Sequence, residues 1–188
     1  DNPERAKEIA FVLEASNRER QAIEKTILKE AINKVEEDHP TELPLGLVVA
    51  GEGWHPGVIG IVASRLAERF YRPTVVIAWD GEGKGKGSAR SISGVNLFSA
   101  VTAGGDHLLQ FGGHFAAAGM SLEKENLEAF NAAFNRALEE ENAPELFIPA
   151  MKVDANPPLA WAGANLLARL EGMEPFGQAN PRPVFVLE

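Results

Sequence analysis

Two clusters between Gly81 and Gly119 carry residue types suited to holding an anion. In GSAR, Gly87 to Arg90, Ser88 offers a hydroxyl and Arg90 a planar fork of donors matched to phosphate or carboxylate. Two residues apart on an extended strand, they project from the same face. Lys84 and Lys86 add charge, and from Gly83 to Gly94 there is no acid to offset it. The intervening glycines let backbone N–H groups approach the same anion. The bland alternative is a mobile hairpin with solvated lysines. In the second cluster, FGGHFAAAG, Gly112 and Gly113 free the backbone just before His114, whose ring can donate to a phosphate oxygen. Otherwise His114 is a capped core histidine beside a glycine turn.

A third stretch, GEGWHPG at Gly51 to Gly57, mimics a dinucleotide fingerprint, but its spacing is G-x-G-x-x-x-G. Trp54, His55 and Pro56 are also bulky where a pyrophosphate should meet bare backbone. His55 and Trp54 can instead line a cleft at a helix N-terminus, where backbone donors favour an anion, or Trp54 can simply pack. The lysine run is no Walker motif, because Lys86 is followed by glycine in a strand-like segment. His39 and His107 are expected at the surface. Asp80, Asp106 and Asp154 are isolated, so no acid cluster for two catalytic metals is visible, and no G-x-S-x-G nucleophile elbow occurs.

The body carrying these clusters is acidic, with a net charge of −9. Phosphate binding therefore has to rest on a local basic site, because seven acids against two bases fall between Met120 and Glu145. There are no cysteines, which excludes disulfides and thiolate metal sites and suits a reducing cytoplasm. No apolar run approaches the ~20 residues of a membrane span, and the polar start DNPERAKEIA is unlike a signal peptide.

Elements follow from periodicity. Asn2 as N-cap and Pro3 at the first position begin a helix of roughly 35 residues, about 50 Å long. Its charged middle around Arg18, Glu19 and Arg20 fits a connector between domains. LGLVVAG, a helix over Pro56 to Phe70 and PTVVIAW form a βαβ unit. Asp80-Gly81 turns the chain into GKGKGSARSI, a glycine-weakened strand. Val95 to Ala103 is expected as a short helix, FGGHFAAAGMSL ends in a strand, and Glu123 to Glu141 is an amphipathic helix with Leu127, Phe130, Ala133, Phe134 and Leu138 on one face. After Pro144 and Pro149, LFIPAMKVDAN is expected as a strand, Leu159 to Leu170 as a helix and PRPVFVLE as a final strand. The fold class is α/β.

Together GWHPGVIGIVASRLAERFYRP, GKGSARS, FGGHFAAAG and EPFGQANPRPVF, in that order, resemble RecJ-type single-strand-specific exonucleases of the DHH phosphoesterase superfamily. The resemblance covers nearly the whole chain. It implies a long connecting helix at 1–38, a DHH-associated domain with a helix-flanked mixed sheet at 39–145, and the truncated start of an OB-like β domain at 146–188. It implies 5′→3′ hydrolysis of single-stranded DNA in repair and recombination, with Mn2+ or Mg2+ held by an upstream DHH domain and no metal bound by this chain. Ser88 and Arg90 would contact the 5′ phosphate, Gly112, Gly113 and His114 would form the substrate-side glycine-histidine motif, and His55 is a weaker carry-over, while Lys84 and Lys86 join the expected phosphate contacts through their charge alone. Implied partners are single-stranded DNA and repair proteins such as a helicase or single-strand-binding protein, with no membrane. Ala179 stands where relatives commonly have glycine. Two glycines before His114 fit the RecJ branch, whereas three are usual in phosphodiesterases of short oligonucleotides or cyclic dinucleotides. Such a phosphodiesterase, or a non-enzymatic binding module, is the alternative reading.

Overall fold

The computed structural model describes residues 2–186. They fall into two units, Asp1–Ile148 and Pro149–Glu188, each with its own internal packing.

The first unit begins with helix α1, Pro3–Asp38. The Asn2 side chain accepts from the Arg5 N–H at 3.2 Å and Pro3 occupies the first turn, so the start obeys ordinary capping rules. The first half is solvated: Ile9, Phe11, Val12 and Leu13 are exposed, and Glu4–Lys7, Arg5–Glu8 and Glu14–Arg18 pair along it. The second half corrects the expectation of a pure connector. Ile27, Ala31 and Val35, four residues apart, are buried against Leu47, Val49, Val62 and Leu66. Trp54 Nε1 donates to Glu30 Oε2 at 2.8 Å and helps hold α1 in place.

Strand β1, Leu47–Glu52, leads through helix α2, Ile59–Phe70, to strand β2, Thr74–Trp79, which runs parallel to β1. This is the expected βαβ unit, although α2 starts at Ile59 rather than Pro56. Residues 56–58 form a turn closed by the Val58 N–H on the His55 carbonyl. Strand β3, Lys84–Arg90, pairs antiparallel with β2. The connecting turn is built on Asp80, whose carboxylate accepts the Lys84 and Glu82 N–H groups at 2.8 and 2.9 Å. Those two donors, Lys84 first, hold its pKa below the ordinary carboxylate value. The stabilisation is therefore present at neutral pH and is lost as pH falls through the lowered pKa.

Helix α3, Leu97–Ala103, is followed by strands β4, Gln110–His114, and β5, Ala117–Glu123. The glycine-histidine segment is thus a hairpin of two strands, where one strand at its end was expected. Glycine-rich β4 lacks apolar alternation and is recognisable only by its pairing with β5. A short 3₁₀ turn at Lys124–Asn126 precedes helix α4, Leu127–Glu141.

The sheet order is β1-β2-β3-β5-β4. One face packs on α1 and α2 through Leu47, Val49, Val76 and Ala78. The other carries Val75, Ile77, Trp79, Met120 and Leu122 against Leu97, Val101, Phe130, Phe134 and Leu138 of α3 and α4. With both faces covered, β2 is buried throughout. Phe147 also belongs to this core. No helix among the described residues is long and apolar enough to cross a membrane.

In the second unit the expected strands are absent from the described residues. LFIPAMKVDAN begins with the last two residues of the 3₁₀ turn Pro144–Phe147, at the end of the first unit, and continues as irregular chain. PRPVFVLE contributes only the isolated bridge of Phe185 to Ala155, and Leu187 and Glu188 lie outside the described residues. An alternating pattern becomes a strand only with a partner ladder, and Pro149 in the first segment and Pro181 and Pro183 in the second remove donors. The expected helix is split into a 3₁₀ turn, Leu159–Trp161, and helix α5, Ala164–Glu171.

Because Ala31 is fully buried between α1 and the βαβ unit, Ala31→Leu is expected to overpack this contact. A loss of about 1–3 kcal/mol in urea unfolding is the expected outcome.

Candidate nucleic-acid interface

Strand β3 alternates strictly, and its two faces have opposite characters. Gly85, Gly87 and Ala89 are buried, whereas Lys84 and Lys86 are exposed and Ser88 and Arg90 are half-buried. A methyl group on Gly85 would come within 2.4 Å of the Trp79 ring, and one on Gly87 within 2.7 Å of Met120 Cγ. These glycines therefore make room for the core. They do not open the backbone to an anion, as the sequence had suggested, because β3 is hydrogen-bonded by β2 on one side and β5 on the other.

The opposite face gathers most of the expected site. Across the sheet, Ser88 is paired with Gly119, and Gly119 with Gly112. The neighbouring rows are Lys86, Ser121 and Gln110 on one side and Arg90, Ala117 and His114 on the other. A groove of about 610 Å³ runs over this face, lined by Lys86, Ser88, Gln110, Gly112, Gly119 and Ser121, with Pro56 and Ile59 at its wall. Its floor is open: a methyl on Gly112 would meet nothing within 4 Å, and one on Gly119 only the Gly87 carbonyl at 4.0 Å.

Arg90 lies along Ser88. Its Nη1 donates to Ser88 Oγ at 3.2 Å and to the Ala89 carbonyl at 2.8 Å, while Nη2 and Nε make no hydrogen bond among the described residues. Nor does any described carboxylate form an ion pair with Lys84, Lys86 or Arg90. The cations of this face thus have no direct ion-pair partner among the described residues, although Asp80 feels the charge of Lys84, in a protein of net charge −9.

His114 is exposed at the end of β4, which overturns the core-histidine alternative. Its Nδ1 accepts from the Ala116 N–H at 3.4 Å, which leaves Nε2 without a hydrogen-bond partner among the described residues. Gly113 faces the other way, with its missing methyl within 2.5 Å of the Ala117 carbonyl oxygen. His55 is exposed before α2 and accepts from the Gly57 N–H at 3.0 Å, but it does not line the groove. Lys84 lies at the opposite end of β3 from Arg90, paired with Glu123 across the ladder. Trp54 is a packing residue, 4% exposed. Sequence reasoning missed Gln110, Gly119 and Ser121. Nothing in the sequence of Gln110 to His114 announced a strand, and β5 supplies the other half of the face only through its register.

A mixed sheet with helices on both faces, one of them carrying an open groove of small residues beside Lys86, defines an α/β domain. The chain belongs to the DHHA1 domain family, whose model matches residues 45–140. It is similar to the single-stranded-DNA-specific exonuclease RecJ of Bacillus subtilis, 40% identical over 97% of this chain and 23% of that protein. The corresponding Escherichia coli protein is 36% identical over 98% of this chain and 33% of its own length. The crystal structure of RecJ from Thermus thermophilus in complex with Mn2+ superposes with a TM-score of 0.80 at 28% identity, over 100% of this chain and 27% of that one. The chain thus spans about a quarter to a third of the length of the curated relatives it matches.

The two glycine classes separate by stability. Gly85→Ala is expected to cost about 1–3 kcal/mol by overpacking, whereas Gly112→Ala should stay within about 0.5 kcal/mol of the parent. Thermal or urea unfolding of both variants measures the difference.

Proposed function

We propose that this chain is the strand-gripping part of a metal-dependent 5′→3′ exonuclease of single-stranded DNA, acting in DNA repair and recombination. The observation that carries the reading is the Ser88–Arg90 pair beside the Gly119–Gly112 floor, with guanidinium donors free and no carboxylate competing for them. The similarity to exonucleases named RecJ supports the choice of ligand.

A terminal phosphate carries more charge than an internal diester and presents three acceptor oxygens, so it suits the free Arg90 donors best. A 5′ end is held first, the following nucleotides lie over Gly112 and Gly119, and Lys86 and His114 Nε2 reach flanking phosphates. Bare backbone on the floor, beside the Pro56–Ile59 wall, lets the strand approach closely.

Divalent metal belongs elsewhere in this reading. Solved Thermus thermophilus RecJ structures are complexes with Mn2+ and with Mg2+, but among the described residues of this chain no three His, Asp or Glu side chains converge to hold an ion. The residues present do not fit the metal, and no reaction step is assigned to them.

Affinity for a 5′-phosphorylated oligonucleotide, measured by fluorescence anisotropy, should fall linearly on a log–log plot against salt. Arg90→Ala should lower it about tenfold or more while barely affecting a 5′-hydroxyl strand. Equal losses on both strands would remove the terminal-phosphate role, and salt-independent binding would favour a protein-binding scaffold. Incubated with Mn2+ and single-stranded DNA, the 188-residue chain is expected to leave the strand uncut. Robust cleavage would place the metal site within it.

A further inference from the structure

Gly60 sits in the first turn of α2. Glycine there weakens a helix relative to alanine, and Gly60 is not among the glycines with positive φ, which are Gly53, Gly83 and Gly94. Elsewhere in the unit a buried glycine makes room for apolar atoms. The missing methyls of Gly46, Gly85, Gly87 and Gly104 face Phe134, Trp79, Met120 and Phe130 respectively. Gly60 is different: the atoms nearest to a methyl placed on it are Arg90 Nη2 and Ser88 Oγ, both at 3.0 Å, followed by Arg90 Cζ at 3.7 Å.

We propose that Gly60 is a positioning residue for the phosphate-binding fork. By withholding a side chain, it lets Arg90 lie flat along Ser88 and keeps the space beside Nη2 free for a phosphate oxygen. This rests on the reading that Ser88 and Arg90 hold a 5′ phosphate. The fork has little freedom to retreat, since Nη1 is tied both to Ser88 Oγ and to the Ala89 carbonyl. A methyl at Gly60 makes Arg90 Nη2 and Ser88 Oγ give by a few tenths of an ångström, which shifts the two groups that would take the anion. That shift does not touch the hydrophobic core, so folding and binding separate at this position.

The test uses the 188-residue chain in four forms: parent, Gly60→Ala, Arg90→Ala and the double variant. Melting temperature is recorded together with anisotropy on 5′-phosphorylated and 5′-hydroxyl strands of the same sequence. Gly60→Ala is expected to melt at or above the parent and to lose about tenfold in affinity for the phosphorylated strand alone. In the Arg90→Ala background its effect should shrink well below additivity, because of the two groups it crowds only Ser88 Oγ remains. A melting point below the parent, equal losses on both strands, or additivity with Arg90→Ala would each overturn the positioning role. If the parent itself shows no preference for the phosphorylated strand, the phosphate reading of Ser88 and Arg90 fails, and this inference falls with it. If the parent discriminates and Gly60→Ala still does so fully, only the inference fails.

Discussion

The first unit depends on how thin β3 is. It runs through the interior of the sheet, and on one side it must let Trp79, Ile77 and Met120 close over it, which only hydrogen atoms or a single methyl at 85, 87 and 89 permit. The period of two then puts every larger residue of the strand on the opposite face. One steric constraint therefore makes a tight core and a row of Lys84, Lys86, Ser88 and Arg90. Because β3 spends its backbone groups on two ladders, any ligand on this face meets side chains there, with the less constrained backbone lying at the edge strand β4.

The remaining elements keep that face usable. Helix α2 packs over β2 and β3 and stops short of β5 and β4, so the sheet is roofed at its centre and open toward the edge where its residues are small. Helix α1 braces α2 and β1 from outside through Ile27, Ala31 and Val35 and through the Glu30–Trp54 hydrogen bond. The abundant acids lie largely on solvated helical surfaces, and many of them pair with nearby lysines and arginines. A cation row survives on an acidic protein because no described carboxylate comes within ion-pair distance of Lys84, Lys86 or Arg90.

Long apolar or strongly amphipathic segments were legible from sequence alone: α1 with its Asn2–Pro3 start, the βαβ unit and α4 all have periodicities set by local geometry. Less legible were segments whose state depends on a partner. Gln110 to His114 has no alternation to announce a strand and becomes one by pairing with β5. Residues 147–156 and 181–186 have strand-like composition, yet without a ladder they remain irregular apart from the single Ala155–Phe185 bridge.

At the candidate site the same division holds. Sequence determined that Ser88 and Arg90 share a face, that His114 follows a freed backbone and that the basic residues cluster on an acidic chain, because these are matters of spacing and composition. Tertiary structure decided what each glycine is for. Gly85 and Gly87 serve the core, Gly113 serves the β4–β5 contact, and Gly112 and Gly119 leave open floor. A glycine is chosen by what its absent side chain would have struck, and that neighbour is supplied by strand register and helix packing, which no local pattern records.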